Sequence, residues 1–194
     1  MDFYDIINIM NTKKRFFTTY DLILGALFVA LIIVGAFIKI PIGPVPITLQ
    51  FMFVLFAGQI LRPLVAMVSI LIYTFLGLIG LPVFSGGGGP GYILTPTFGY
   101  ILGFILAIII VSKIAHSGKT SLLRLILANL FGFIIVYIIG LGYYVLLSFF
   151  YFKNLVDLGA LLLTGFVVFI PTDLVFCVIT AIIAKRIKPV LAVK

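Results

Sequence analysis

Long apolar runs, separated by short basic breaks on one side and Pro- and Gly-rich breaks on the other, organise this chain from end to end. The runs cover about 22–38, 47–61, 64–80, 97–111, 124–150 and 159–184. Most reach the roughly 17–25 apolar residues with which a helix crosses a bilayer. The second and fourth are short for that task. The fifth is longer than a span needs, so its outer end is expected to tilt or lie along the interface. The pattern predicts an all-α, polytopic membrane protein with six transmembrane helices in a single domain, 1–194. No internal repeat is visible.

Composition sharpens this reading. Hydrophobic residues make up 64% of the 194 and charged residues 9%, with a mean hydropathy of +1.40. Soluble domains carry about 45–50% apolar and about 25% charged residues. So few charges would leave a water-soluble particle with an aggregating apolar surface. The chain is too hydrophobic for disorder, and its one cysteine, Cys177, excludes a disulfide scaffold. A cleaved signal peptide is not expected, because the first run is of spanning length and no small-residue cleavage site follows it.

The net charge of +8 superficially fits a nucleic-acid partner, but its distribution does not. With six spans, one side holds Lys13, Lys14, Arg15, Arg62, Lys113, Lys119, Arg124, Lys185, Arg186, Lys188 and Lys194. The other holds only Lys39 and Lys153. Positive charge accumulates on the cytoplasmic side of membrane proteins, so both termini are expected in the cytoplasm of a cell-membrane protein. No nucleic-acid partner is expected; the bilayer itself is one.

Several motifs resemble known chemistry without supplying it. Gly86-Gly-Gly-Gly89-Pro90-Gly91 fits the spacing of a dinucleotide fingerprint, but lies between membrane spans rather than between a strand and a helix. His116-Ser-Gly-Lys119-Thr120 ends like a phosphate-binding loop, yet Lys113 stands where its first glycine belongs. The chain contains one His, no Glu and one Cys, too few groups for acid–base or metal catalysis. No catalytic residue, metal or cofactor is expected.

The polar residues within the runs are more informative. Asp2, Asp5, Asp21 and Asp157 lie in tails or near span ends, whereas Asp173 sits inside the sixth run. A central carboxylate costs about 2.5–3.5 kcal/mol on insertion scales, and faces the bundle interior or a wet cavity. No Lys or Arg lies at its depth, so it suits a ligand with N–H donors. A protonated Asp bonded between helices is the alternative. Toward the same external end lie Thr48, Gln50, Ser85, Gly86, Gly87, Tyr92, Thr97 and Tyr100. Ser69, Tyr73 and Gly77 form a stripe on the third run. Together these residues predict an externally open pocket above Asp173. Gly99 and Gly103 have the spacing of close helix packing, as do Ala26 and Ala30, whose partner is either this bundle or another membrane protein.

Pro44-Val-Pro-Ile-Thr-Leu-Gln50, Gly80-Leu-Pro-Val-Phe-Ser-Gly-Gly87, Pro96-Thr-Phe-Gly-Tyr-Ile-Leu-Gly103 and Pro171-Thr-Asp173 closely resemble the BioY family of biotin-uptake proteins. These are substrate-binding (S) components of energy-coupling factor (ECF) transporters. The resemblance covers nearly the whole chain, in motif order. It implies a six-helix S-component bundle that binds biotin in an external pocket, with Asp173 accepting from the ureido N–H groups. It also implies a transmembrane coupling protein (T component) and two cytoplasmic ABC-type ATPases as partners, with Ala26 and Ala30 touching the coupling protein. Two positions depart from the family pattern: Phe176 where a Lys is common, and Phe98-Gly99 where Gly-Gly is usual. The competing readings are an S component for another small vitamin and a stand-alone secondary transporter, which would typically show an internal repeat.

Overall fold

The computed structural model describes residues 17–41, 45–153 and 157–191. Thr18 starts the first helix, α1 (Thr19–Phe37), with a reciprocal cap. The Thr18 backbone N–H donates to Asp21 Oδ2 at 2.9 Å, and Asp21 N–H donates to Thr18 Oγ1 at 3.1 Å. The same carboxylate meets Arg62 Nη1 at 3.4 Å, joining the start of α1 to the residue before Pro63. A cap of this kind contributes about 1 kcal/mol.

After α1 the prolines forbid a helix. Two short strands form instead, β1 (Lys39–Ile40) and β2 (Ile47–Thr48), antiparallel with Lys39 opposite Thr48. The second run is therefore part strand: its helix, α2, covers only Gln50–Ile60. At 1.5 Å per residue it rises about 16 Å, half of a hydrocarbon core of about 30 Å. Non-helical backbone at membrane depth needs protein around it. α2 has that cover, because it packs against α1, α4 (Phe98–His116) and α7 (Ile170–Leu191). α3 (Pro63–Leu78) begins on a proline, whose missing N–H would have no partner there anyway.

α4 runs to His116, five residues beyond the edge read from the sequence, and pairs along its length with α5 (Leu122–Leu147). Gly103 permits this approach: a Cβ there would lie 2.8 Å from the Cα of Val136. Gly99 likewise faces Tyr143, so both glycines serve packing within the bundle. A π-helical turn, Ser148–Phe152, extends α5 into an apolar stretch of 31 residues. The sixth run is split into α6 (Leu158–Leu162), capped by Asp157, a π-helical turn over Leu163–Val167, and α7. Among the described residues, four helical stretches are long and apolar enough to cross a membrane; α2 and α3 are the shorter two of the six expected.

Charge divides the two ends of the bundle. Arg62, Lys113, Lys119, Arg124, Lys185, Arg186 and Lys188 lie at the end opposite the β1–β2 hairpin. There the Lys188 ammonium donates to the Ala115 carbonyl at 2.7 Å, a cation at the C-terminus of α4. Asp2, Asp5, Lys13, Lys14, Arg15 and Lys194 lie outside the described residues.

Between that end and the middle, a buried polar layer that the sequence reading did not anticipate joins three helices. Gln59 Nε2 on α2 donates to Asn129 Oδ1 at 2.8 Å and to the Leu125 carbonyl at 3.1 Å, both on α5. Asn129 Nδ2 donates in turn to Thr180 Oγ1 at 2.9 Å and the Cys177 carbonyl at 2.7 Å, both on α7. Gln59 and Asn129 are fully buried. Asn129→Ala is expected to lower stability by about 1–3 kcal/mol, by leaving buried partners unpaired. That corresponds to a fall in Tm of about 2–4 °C per kcal/mol for a chain of this size. The single cysteine, Cys177, is 1% exposed, so a thiol-reactive dye reports the transition directly. An unchanged Tm would show that the layer adds nothing to stability.

Candidate functional site

Three segments converge at the hairpin end: the β1–β2 hairpin, the loop between α3 and α4, and the irregular start of the last helix. The α3–α4 loop is folded tightly on itself. Phe84 and Gly87 pair as a bridge, and Gly89 N–H donates to the Gly77 carbonyl at 2.7 Å. Phe84 is 1% exposed, its ring 5.4 Å from Tyr73 and 4.6 Å from Tyr92. It lies where a side chain at Gly77 would have to go. Gly87, at φ +119°, occupies backbone space that side chains avoid. The loop thus becomes a wall of fixed shape, followed by a short 3-10 helix, Pro90–Leu94, that carries Tyr92.

Beneath these segments lies a cavity of about 520 Å³, counting its open mouth. Its lining includes Thr48, Gln50, Ser85, Tyr92, Thr97, Tyr100 and Asp173, residues spread over 126 positions of sequence (48 to 173, inclusive). Gly86 and Gly87 are not in the lining; they shape the loop that presents Ser85. Ala26 and Ala30 are exposed on α1. Ala26 borders a separate apolar groove between α1 and α3, together with Gly25, Val65 and Ser69.

The polar groups of the cavity are mutually braced. Gln50 Nε2 donates to the Tyr73 hydroxyl at 2.7 Å, which donates to the Val83 carbonyl at 3.3 Å. The stripe on α3 thus supports the wall, with Tyr73 holding Gln50 and Gly77 admitting Phe84. Thr97 Oγ1 donates to the Tyr92 hydroxyl at 2.9 Å, and Ser85 Oγ lies 3.4 Å from the same oxygen. Lys39 donates from its ammonium to the Ser85 carbonyl, tying the hairpin to the loop.

Asp173 lies in the first turn of α7, 4% exposed. Tyr137 on α5 donates its hydroxyl to Asp173 Oδ2 at 2.5 Å. The carboxylate therefore has an interhelical partner, though not a basic one. An ionised carboxylate has about four acceptor sites, so capacity remains for further N–H donors. Just before α7, π-helical winding disturbs the backbone ladder. The Gly165 carbonyl in that stretch accepts from the Tyr100 hydroxyl at 2.9 Å.

Tyr137, Val45 and Pro46 also line the cavity, and Phe51, Ile101, Phe104, Val136 and Phe169 form an apolar belt within it. Tyr137 and this belt were not singled out from the sequence. The one available signal was a phenol in the apolar run Phe133-Ile-Ile-Val-Tyr137. The belt carried none, since its residues read as ordinary core. Phe176 is buried in the core and does not line the cavity. No cluster of metal-binding side chains occurs among the described residues.

This arrangement can hold a compact, largely apolar molecule whose N–H groups meet a carboxylate. The chain is similar over most of its length to transport proteins. It is 39% identical to a probable biotin transporter BioY of Lysinibacillus sphaericus, over 89% of each chain. It is 40% identical to one of Pyrococcus horikoshii, over 85% of this chain and 94% of that one. Its fold matches the crystal structure of the S-component for biotin from an ECF-type ABC transporter, with a TM-score of 0.76 and 32% identity over 89% of this chain and 95% of that one. FolT bound with folic acid matches at a TM-score of 0.60 and 21% identity, over 89% of this chain and 95% of that one, a likeness of fold alone. The model of the BioY family matches residues 10–193, and the chain belongs to the BioY family.

Proposed function

We propose that this protein is the biotin-binding S component of an ECF-type importer. The observation that carries the reading is Asp173: one carboxylate, held by Tyr137, in a cavity otherwise lined by aromatic, aliphatic and uncharged polar side chains. Biotin presents two ureido N–H donors to such an acceptor, and its bicycle and valeryl chain suit the apolar belt. Phe176 brings no ammonium for the ureido oxygen, so that oxygen takes an uncharged donor of the lining, such as the second N–H of the Gln50 amide. The names of the relatives and of the solved S component point to the same cargo.

Uptake against a gradient needs energy, and the sequence contains no phosphate-binding loop. ATP hydrolysis belongs to two cytoplasmic ABC-type ATPases, coupled through a T component. Ala26 and Ala30 are the contact with that coupling protein: small, exposed and four residues apart, they let a foreign helix approach closely. The basic end of the bundle faces the cytoplasm, with both termini, and the cavity opens to the outside.

Asp173→Asn is expected to weaken biotin binding by roughly ten- to a hundred-fold, the worth of a charged hydrogen bond of about 1.5–3 kcal/mol. The fold should survive, because the amide oxygen can still accept from Tyr137. Calorimetry on the detergent-purified chain measures both, with monodispersity as the folding control; unaltered affinity would make Asp173 a structural residue. Replacing Ala26 and Ala30 together by Trp should abolish energised uptake while sparing binding to the isolated chain. Equal loss of both would place this face inside the bundle instead. Cysteines introduced between Ser85 and Gly91 should label from outside intact cells, and protection there would reverse the orientation.

A further inference from the structure

The cavity is electrically one-sided. Among the described residues, Asp173 is its only charged lining residue, and no Lys or Arg stands in the lining. Any cation that meets the carboxylate of a ligand therefore comes from outside the lining. Among the described residues, Lys39 and Lys153 are the two cations at this end of the bundle. Lys153 follows the turn Ser148–Phe152 and is exposed.

Lys39 is placed at the mouth by two separate features. Its backbone stands opposite Thr48 in the β1–β2 pair, and Thr48 lines the cavity. Its ammonium donates to the carbonyl of Ser85, which lines the cavity from the other loop. The charge is thus held between the two segments that form the rim. An ammonium has three donors, and this bond uses one.

We propose that Lys39 is the anion anchor of the site, receiving the carboxylate of a ligand whose N–H-bearing end lies against Asp173. The inference rests on the biotin reading and adds the residue that orients the ligand. Electrostatics selects the orientation. The reverse pose would bring a carboxylate against Asp173 in a poorly solvated interior, where like charges repel strongly. The same pose would leave Lys39 without an anion. In the proposed one the apolar belt of Phe51, Ile101, Phe104 and Phe169 lies between the two poles, where the apolar middle of the ligand belongs.

Lys39 has an alternative role as a plain latch between the two loops, and a neutral ligand separates the two. Binding of biotin and of biotinamide, which lacks only the charge, is measured by calorimetry on wild type, Lys39→Met and Lys39→Arg. Dye-detected Tm serves as the folding control. Wild type should prefer biotin by about ten- to a hundred-fold, the range of one charge-assisted hydrogen bond. Lys39→Met should lose that preference through weaker biotin binding, with biotinamide unchanged, and Lys39→Arg should restore it. Equal losses for both ligands would reduce Lys39 to a latch and overturn the proposal. A preference surviving in Lys39→Met would overturn it as well, since another group would then hold the carboxylate. If wild type binds neither ligand, the biotin reading itself fails, a result distinct from either.

Discussion

Polar groups in this protein have no water to fall back on, and that constraint shapes the whole structure. A transmembrane helix satisfies its own backbone, whereas an interrupted one must find partners in its neighbours. Here the second and sixth apolar runs are both interrupted, one by strand β2 and the other by π-helical winding before Pro171. Both interruptions lie at the cavity end. Tyr100 reaches the Gly165 carbonyl in one of them, and the Leu49 N–H donates to the Ile38 carbonyl beside the other. The irregular backbone that makes room for a cavity is stabilised by the residues and segments that enclose it.

The same constraint divides the bundle into two halves. Toward the basic end, Gln59, Asn129 and Thr180 bond to each other and to backbone carbonyls, which fixes how α2, α5 and α7 meet. Toward the hairpin end, the polar side chains bond partly to each other and keep capacity for a ligand. Asp173 and Asn129 illustrate the difference. Asn129 is used up by Gln59, Cys177 and Thr180, while Asp173 has one hydrogen-bonded side-chain partner, Tyr137, beside an open space. α5 and α7 take part in both halves, so the network that holds these helices together also holds the carboxylate in place.

Glycine and aromatic residues act as matched pairs in the loop that walls the cavity. The Phe84 ring occupies the space a side chain at Gly77 would need, and Phe84 in turn packs between Tyr73, edge to face, and the tilted ring of Tyr92. Tyr73 supports Gln50 and Tyr92 supports Thr97. A loop rich in glycine would ordinarily lose much conformational freedom on ordering. Burial of Phe84 and Tyr92 offsets that loss and turns the segment into a scaffold for polar groups that line the cavity.

The sequence by itself determined the membrane class, the six apolar segments, the segregation of positive charge and most of the polar groups of the site. These properties are local: hydropathy, charge and proline act where they stand, and an isolated Asp173 in an apolar run is conspicuous without any fold. Tertiary structure alone decided which groups face one another. Tyr137 became the partner of Asp173 because α5 packs on α7, and nothing in a run of aliphatic residues marks that register. Likewise the apolar belt is indistinguishable from core by composition, and Gly86 and Gly87 shape the wall rather than line the space. The second run held the largest surprise, a strand and a half-length helix where hydropathy reads one span. Hydropathy measures the cost of leaving water, and it is equally satisfied by a helix in lipid and by an irregular segment enclosed in protein.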